Sequence, residues 1–140
     1  MLWAKKPTTK ELDEACKNTM CSHIGMEFTE IGDDYLIAKM PVDHRTIQPA
    51  GLLHGGASVA LAESLGSIAS LLCLKSKDKM PVGIEINANH LKATTSGFVH
   101  GKVTAIRRGQ SLHVWNIEIK NDQGDITCVS RLTCMIVDRK

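Results

Sequence analysis

The chain contains one long apolar segment, which stands between shorter segments where apolar and polar residues alternate. From Gly51 to Leu74 the only formal charge is Glu63, and small and apolar residues occupy every face of the helix that this run would form. The pattern predicts one long helix buried on all sides. Its length of about 36 Å also suits a transmembrane span, but His54, four serines and several glycines make that alternative the weaker one.

Alternating segments on both sides of this helix predict β-strands. Residues 26–31 and 35–42 flank Gly32-Asp33-Asp34 and predict a hairpin. After the helix, a strand is expected to place four apolar residues on one face, with a histidine continuing their row inward: Val82, Ile84, Ile86, Ala88 and His90. Segments 98–106, 112–120 and 126–137 predict three further strands, joined by short turns.

The start of the chain predicts a short amphipathic helix. Thr8 and Glu11 have the spacing of a capping box. Apolar residues then recur at helical intervals, at Leu12, Ala15, Cys16 and Met20.

These elements together predict an α+β fold in a single domain that covers residues 1–140. Strands that follow one another through short turns pair antiparallel. The expected architecture is one long central helix wrapped by a curved antiparallel sheet of five to six strands. A domain of 140 residues can form a core but covers a large cavity poorly, so an oligomeric site is plausible.

Composition and charge narrow the classes of function. A net charge of +2 is too small for a dedicated nucleic-acid binder. Residues 1–10 lack the apolar core of a signal peptide, so we expect a cytoplasmic protein that spans no membrane. Five cysteines without a C-x-x-C pair fit reduced thiols, and no Cys or His group has zinc-ligand spacing, so neither a metal nor a cofactor is expected.

Glu63 is the first candidate for chemistry. A carboxylate in an apolar helix costs several kcal/mol unless it is paired, hydrogen-bonded or protonated. One interpretation is a structural Glu63 that pairs with a basic residue elsewhere. The other is a general base or nucleophile, because apolar surroundings make a carboxylate more basic.

A second candidate site lies where loop becomes helix. At His54-Gly55-Gly56, two glycines let a substrate approach free backbone N–H groups at the positive end of the helix dipole. Such groups can stabilise an oxyanion, although two glycines also suit a tight turn. Gln48, in the same loop, can supply a side-chain amide.

Other polar residues are candidates for substrate contacts. Ser67 lies one helical turn after Glu63, where its hydroxyl can orient a water molecule. His90 is either a core histidine or a donor that lines a pocket. A basic rim at strand ends and turns can bind nucleotide phosphates or can simply be solvated; it consists of Lys92, Arg107, Arg108 and Ser111.

Three segments of the sequence resemble those of a known protein family. The run PVDHRTIQPAGLLHGGASVALAESLGSIAS, with VGIEINANH and SRLT, resembles the bacterial hotdog thioesterases of the 1,4-dihydroxy-2-naphthoyl-CoA and enterobactin-proofreading group, which are related to 4-hydroxybenzoyl-CoA thioesterase. The likeness extends from Trp3 to Val137. Its most specific part is QP-x-G-x-x-HGG followed by A-E-S.

The resemblance implies an acyl-CoA thioesterase with specific residue roles. Glu63 is similar to the family's catalytic carboxylate, Gly55 to its backbone oxyanion donor, and Gln48 to the side chain that polarises the thioester carbonyl. His54, Ser67 and His90 match positions that line the acyl pocket. Two departures, Ala50 in place of an aromatic residue and Ile68 where some relatives have methionine, bear on acyl specificity.

The resemblance also implies an assembly and a substrate class. The family forms homotetramers, each a dimer of dimers, and the expected substrates are aromatic or β-hydroxyacyl CoA thioesters, with 1,4-dihydroxy-2-naphthoyl-CoA as the best single choice. Because Gly55 and Glu63 are separated by about 12 Å along one helix, each site is expected to be shared by two subunits. The alternatives are a hotdog acyl-thioester dehydratase or hydratase and a non-catalytic acyl-CoA sensor.

Overall fold

A computed structural model describes all residues from 1 to 140. Three helices and six strands follow one another in the order α1 (Thr9–Ala15), α2 (Met20–His23), β1 (Glu27–Ile31), β2 (Tyr35–Pro41), α3 (Gly55–Cys73), β3 (Lys79–His90), β4 (Phe98–Arg108), β5 (Leu112–Asn121) and β6 (Ile126–Asp138). The elements confirm the predicted α+β class and its single long helix.

The six strands form one sheet in which every neighbouring pair is antiparallel. The spatial order is β1-β2-β4-β5-β6-β3. Strands β1 and β3 are therefore the two edges, and β3 follows α3 to pair with the last strand, β6. The hotdog arrangement predicted from the resemblance is confirmed.

Helix α3 packs across the inner face of this sheet. Its most buried side chains, among them Leu61, Leu65 and Ala69, have no exposed surface. The helix lies so close to β6 that a methyl group at Gly66 would come within 2.5 Å of Leu132 Cδ2. By length and composition alone, α3 meets the criteria of a membrane span. Its packing against the sheet is that of a core helix.

A buried hydrogen bond fixes α3 against the middle of the sheet. The indole N–H of Trp115, on β5, donates to Ser70 Oγ at 2.6 Å, and both side chains are fully buried. Trp3 stacks on Trp115 with ring centroids 6.5 Å apart, and its own N–H donates to the carbonyl of Gly32. The N-terminal segment is thereby tied to both the core and the first hairpin.

The prediction that the long helix is buried on all sides is wrong along one stripe. On this stripe five residues are half-buried and a sixth, Leu71, is 42% exposed; the stripe consists of Ala60, Glu63, Ser64, Ser67, Ile68 and Leu71. The helix also begins at Gly55 rather than Gly51, because His54 is its N-cap. Gly51 lies in the preceding loop with φ of 83°.

A β-bulge changes the predicted alternation in β3. The register with β6 shifts between Gly83 and Glu85, so that Ile84 is an extra residue. Ile86, Ala88 and His90 lie on the inner face after the bulge, as expected. Before the bulge, Val82 pairs with the outward-facing Met135. The prediction of a shared inner face is therefore wrong for Val82, which is 41% exposed, and for Ile84, which is 52% exposed.

The capping box at the start of α1 is confirmed, but the helix ends early. Thr8 Oγ1 accepts a hydrogen bond from the Glu11 N–H at 3.2 Å, and the Glu11 carboxylate accepts one from the Thr8 N–H at 2.7 Å. The chain then turns at Asn18, which has φ of 57°. Met20 consequently begins a separate helix and is 66% exposed, so its predicted place on the buried stripe is wrong.

His113 is a buried titratable group in the core. It lies on β5 at 3% exposure, with its ring edge-on to Trp115. Burial lowers the pKa of His113 below its ordinary value of 6.5, and the nearby charge of Arg108 adds to this effect. The folded protein therefore favours the neutral ring.

We expect His113 to make the protein less stable in mild acid. Below about pH 6.5 the unfolded chain binds a proton at this ring more readily than the folded chain, so the free energy of unfolding falls as pH decreases. Thermal melts of wild type, His113→Leu and the exposed control His44→Leu between pH 7.5 and 5.5 measure this. The fall should be shallower in His113→Leu only; equal slopes in all three proteins would contradict the assignment.

Candidate active site

The loop before α3 ends in a histidine cap that organises the first helical turn. His54 has extended backbone angles, and its Nδ1 accepts a hydrogen bond from the Gly56 N–H at 2.7 Å. A neutral His54 ring therefore carries its proton on Nε2. The backbone N–H of His54 donates to the carbonyl of Thr46 at 2.8 Å, which ties the helix start to the preceding loop.

Gly55 is the first residue of α3, and its backbone N–H donates to no protein group. It is one of the orphan donors at the positive end of the helix dipole. A side chain here would require the His90 ring to move, because a methyl group on Gly55 would lie 2.8 Å from His90 Nε2. The structure thus brings an unused N–H and an imidazole together, and glycine is the residue that allows the approach.

Gln48 is held in the same loop with its amide donors free. Its side-chain oxygen accepts a hydrogen bond from the Ala50 N–H. Its backbone N–H donates to the Leu52 carbonyl at 2.8 Å, and its carbonyl accepts from the Gly51 N–H at 2.9 Å. Because the oxygen is engaged, the side-chain NH₂ group is the part of Gln48 available to a ligand.

These groups line one cavity of about 350 Å³. Gln48, Gly55, His90 and Lys92 all contribute to its wall, so the structure brings four of the predicted residues together. Its other lining residues are Leu52, Leu53, Ser58, Leu91, Ala93, Thr94 and Thr127.

Sequence reasoning missed three polar residues of this cavity, Ser58, Thr94 and Thr127. Ser58 lies in the first turn of α3 and is 3% exposed; its position three residues after Gly55 was the available signal. Thr94 lies in the irregular segment after β3, and its carbonyl accepts a hydrogen bond from the Leu53 N–H at 2.8 Å. No local pattern predicts that contact.

Glu63 lies in the middle of α3 without a charged partner. Its carboxylate rests against β3, where a methyl group on Gly83 would come within 2.6 Å of Glu63 Oε1. No hydrogen bond or ion pair to another side chain involves it. The structural interpretation, in which a basic residue neutralises Glu63, therefore has no support within one chain.

The surroundings of Glu63 disfavour a cysteine nucleophile. Cys134, on β6, is fully buried beside Ser67 and Ser70. Burial raises the pKa of Cys134; the hydroxyls of Ser70 and Ser67 offset part of that rise, and the Glu63 carboxylate adds to it. Burial likewise raises the pKa of Cys16, to about 11. Such thiols stay protonated near neutral pH, whereas the reactive form is the thiolate.

Gly55 and Glu63 are kept apart by the helix that carries both. Eight residues of continuous α-helix separate them, which is a rise of about 12 Å. Glu63 and Ser67 accordingly do not line the cavity around Gly55. One reacting carbonyl cannot contact both groups of the same chain.

The predicted phosphate-binding residues do not lie together. Lys92 lies at the cavity, where its ammonium group pairs with Asp125 at 2.6 Å. Ser111 lies at the opposite end of β5 from Asp125, so about 30 Å of strand separates them. Arg107 and Arg108 precede Ser111, and Arg108 donates to the Leu2 carbonyl at 3.1 Å.

The two expected specificity positions lie on different elements. Ala50 is exposed in the loop that holds Gln48. Ile68 is half-buried on the open stripe of α3, one residue after Ser67, and packs against the core.

Comparison with known proteins shows the family of this chain. Residues 50–128 match the Thioesterase superfamily. The chain is 47% identical over 137 residues to the 1,4-dihydroxy-2-naphthoyl-CoA hydrolase of Escherichia coli strain K12, covering 98% of this chain and 100% of the relative. The chain therefore belongs to the thioesterase superfamily.

Further similarities support this assignment. The thioesterase is 43% identical over 137 residues to the proofreading thioesterase EntH of Cronobacter turicensis, covering 98% of this chain and 99% of the relative. The crystal structure of a thioesterase from Haemophilus influenzae matches it with a TM-score of 0.95 and 48% identity, over 99% of this chain and 96% of the other. The enzyme is thus a thioester hydrolase, as the resemblance predicted.

We expect Gly55→Ala to lower kcat/KM for thioester hydrolysis by about tenfold, because the added methyl group must displace the His90 ring. The variant should show this loss in a thiol-release assay while keeping its circular dichroism spectrum.

A double-mutant cycle with His90→Ala identifies the cause. If the clash is responsible, Gly55→Ala should have little further effect once the imidazole is removed. Losses that multiply in the double variant would show that the methyl group acts elsewhere.

Proposed function

We propose that this thioesterase hydrolyses an aromatic or β-hydroxyacyl CoA thioester to the free acid and CoA, with 1,4-dihydroxy-2-naphthoyl-CoA as the first substrate to test. The observation that carries this proposal is the unused Gly55 N–H beside Gln48, together with the unpaired Glu63 carboxylate. The names of the Escherichia coli and Cronobacter relatives support the choice of acyl groups.

The proposed mechanism uses Glu63 as a general base. Its carboxylate takes a proton from a water molecule whose oxygen attacks the thioester carbon. The carbonyl oxygen becomes an oxyanion and accepts hydrogen bonds from the Gly55 N–H and the Gln48 side-chain NH₂ group. When the carbonyl re-forms, the C–S bond breaks, and the CoA thiolate leaves and takes up the proton.

The proposed site combines two chains. The carbonyl must lie near 3 Å from its oxyanion donor and within one water of its base. Since one α3 holds these groups about 12 Å apart, the base that serves a given Gly55 comes from a second, antiparallel α3. A two-fold axis between two copies creates two equivalent sites.

Two open surfaces support a dimer of this kind. The half-buried stripe of α3 includes Glu63 itself. Strand β3 is a 12-residue sheet edge with unpaired backbone groups and two exposed apolar side chains, Val82 and Ile84. We propose that two such dimers associate further into a tetramer.

We expect Glu63→Gln to keep the fold but to lower turnover by about 100-fold or more, because the amide preserves shape and loses basicity. The matched control is Glu14→Gln, an exposed glutamate on α1. Near wild-type turnover in folded Glu63→Gln would exclude this base. Single-turnover hydrolysis in H₂¹⁸O tests the water attack, since label in the enzyme carboxylate would instead indicate an anhydride intermediate.

Complementation tests the shared site. Gln48→Ala should lower kcat by about 100-fold, because its donor is strongest in the transition state. When Glu63→Ala subunits are mixed with Gln48→Ala subunits, half of randomly exchanged dimers contain one intact site and one site with both defects. About a quarter of wild-type activity should return. If mass spectrometry shows exchange and activity stays at the parental level, Glu63 and Gln48 act from one chain.

A further inference from the structure

Two cysteines outside the candidate active site lie beside each other where α1 is joined to α2. Cys16 is the C-cap of α1, and Cys21 is the second residue of α2. The chain turns between them at Asn18, which has φ of 57°. The Thr19 N–H donates to the Cys16 carbonyl at 3.2 Å, and its hydroxyl donates to the same oxygen at 2.5 Å, so the turn is closed onto Cys16. The local fold thus brings together two thiols that are five positions apart.

The two sulfur atoms differ in their access to solvent. The Cys16 and Cys21 thiols are within hydrogen-bonding reach of each other. Cys16 is 9% exposed and belongs to the core, whereas Cys21 is only half-buried. Cys21 also donates from Sγ to Ser64 Oγ on α3 at 3.5 Å. The pair therefore consists of one enclosed sulfur and one that a small reagent in solvent can reach.

This contact distinguishes the pair from the other three cysteines of the chain. Burial raises the pKa of Cys73, Cys128 and Cys134, and no neighbouring thiol contributes to those rises. The pKa of Cys16 rises to about 11, first through burial and then through the neighbouring Cys21. Cys16 consequently keeps its proton near neutral pH, and the more exposed Cys21 is the sulfur that meets a reagent first.

We infer that Cys16 and Cys21 form a disulfide within one chain when the protein meets a hydroperoxide, and that a small dithiol reverses it. A disulfide requires Cβ atoms about 4 Å apart and a fixed dihedral angle about the S–S bond. The four residues between the two cysteines are all exposed, so this turn can adjust to that geometry without displacing core side chains. The site lies apart from the residues proposed for thioester hydrolysis.

The chemistry proceeds in two balanced steps. The Cys21 thiolate attacks one oxygen of the hydroperoxide, the O–O bond breaks, and the alkoxide leaves and takes up a proton as an alcohol, which leaves Cys21 as a sulfenic acid. The Cys16 sulfur then gives up its proton and attacks the Cys21 sulfur. The S–O bond breaks, and the hydroxide leaves with that proton as water. Two thiols are oxidised to one disulfide, and one hydroperoxide is reduced.

Peptide mapping of the wild-type protein tests the disulfide directly. The protein is treated with hydrogen peroxide, blocked with N-ethylmaleimide and digested with trypsin without reductant. Trypsin cuts after Lys17, so the disulfide should join peptides 11–17 and 18–39 with the loss of two hydrogen atoms, and dithiothreitol should separate them. Failure to find the linked peptides after peroxide treatment would overturn the inference.

Isotope mixing shows whether the bond lies within one chain. Equal amounts of ¹⁵N-labelled and unlabelled protein are combined before oxidation. The linked peptides should then be entirely heavy or entirely light. Pairs of mixed label would show a bond between chains and would reject the site as proposed.

Cysteine variants test the order of the two steps. Cys16→Ser should stop at the Cys21 sulfenic acid, so dimedone labelling of peptide 18–39 should exceed that of wild type by about tenfold. Cys21→Ser should leave Cys16 unmodified, because the core encloses that sulfur. The matched control, Cys73→Ser, removes a cysteine without a thiol neighbour and should form the linked peptides as wild type does. Dimedone labelling no higher in Cys16→Ser than in wild type, or loss of the linked peptides in Cys73→Ser, would contradict the inference.

Discussion

The rigidity of one α-helix is the constraint on which the proposed chemistry depends. Gly55 and Glu63 are both on α3, and the helix fixes them about 12 Å apart. The helix is held in turn by the Trp115 hydrogen bond to Ser70 and by the close contact of Gly66 with Leu132. No local rearrangement can bring the two groups of one chain to a single carbonyl. A second copy of the same helix is the simplest source of the missing group.

The incomplete burial of α3 and of one sheet edge is also consistent with a second subunit. A monomer leaves one stripe of α3 half-buried and one long edge of its sheet unpaired. An unpaired carboxylate such as Glu63 can persist in this stripe because it is partly solvated. In the proposed dimer, the second subunit covers this stripe and its carboxylate.

Charge is distributed unevenly along α3. At its N-terminal end, the unused Gly55 N–H and the positive end of the helix dipole suit a developing oxyanion. At its C-terminal end, the helix carbonyls favour cations, and Lys75 and Lys77 lie just beyond them.

Local patterns were sufficient to predict most of the fold. The capping box at Thr8 and Glu11, the hairpin around Gly32 and the long helix with its lone Glu63 depend on residues close in sequence, so their physical causes are visible there. The sequence failed at Val82 and Ile84, because a β-bulge depends on pairing with a distant strand.

The candidate site also contains residues that the sequence predicted and contacts that only the tertiary structure showed. Gln48, His54, Gly55 and Glu63 stood out by residue type and spacing, and the resemblance assigned their roles. Only the tertiary structure placed His90 over Gly55, added Thr94 to the cavity and separated Lys92 from the arginines. Spacing along a chain fixes which residues share a helical face or a turn, but contacts between segments depend on how the sheet and helix pack. Those contacts decide which candidates can act together.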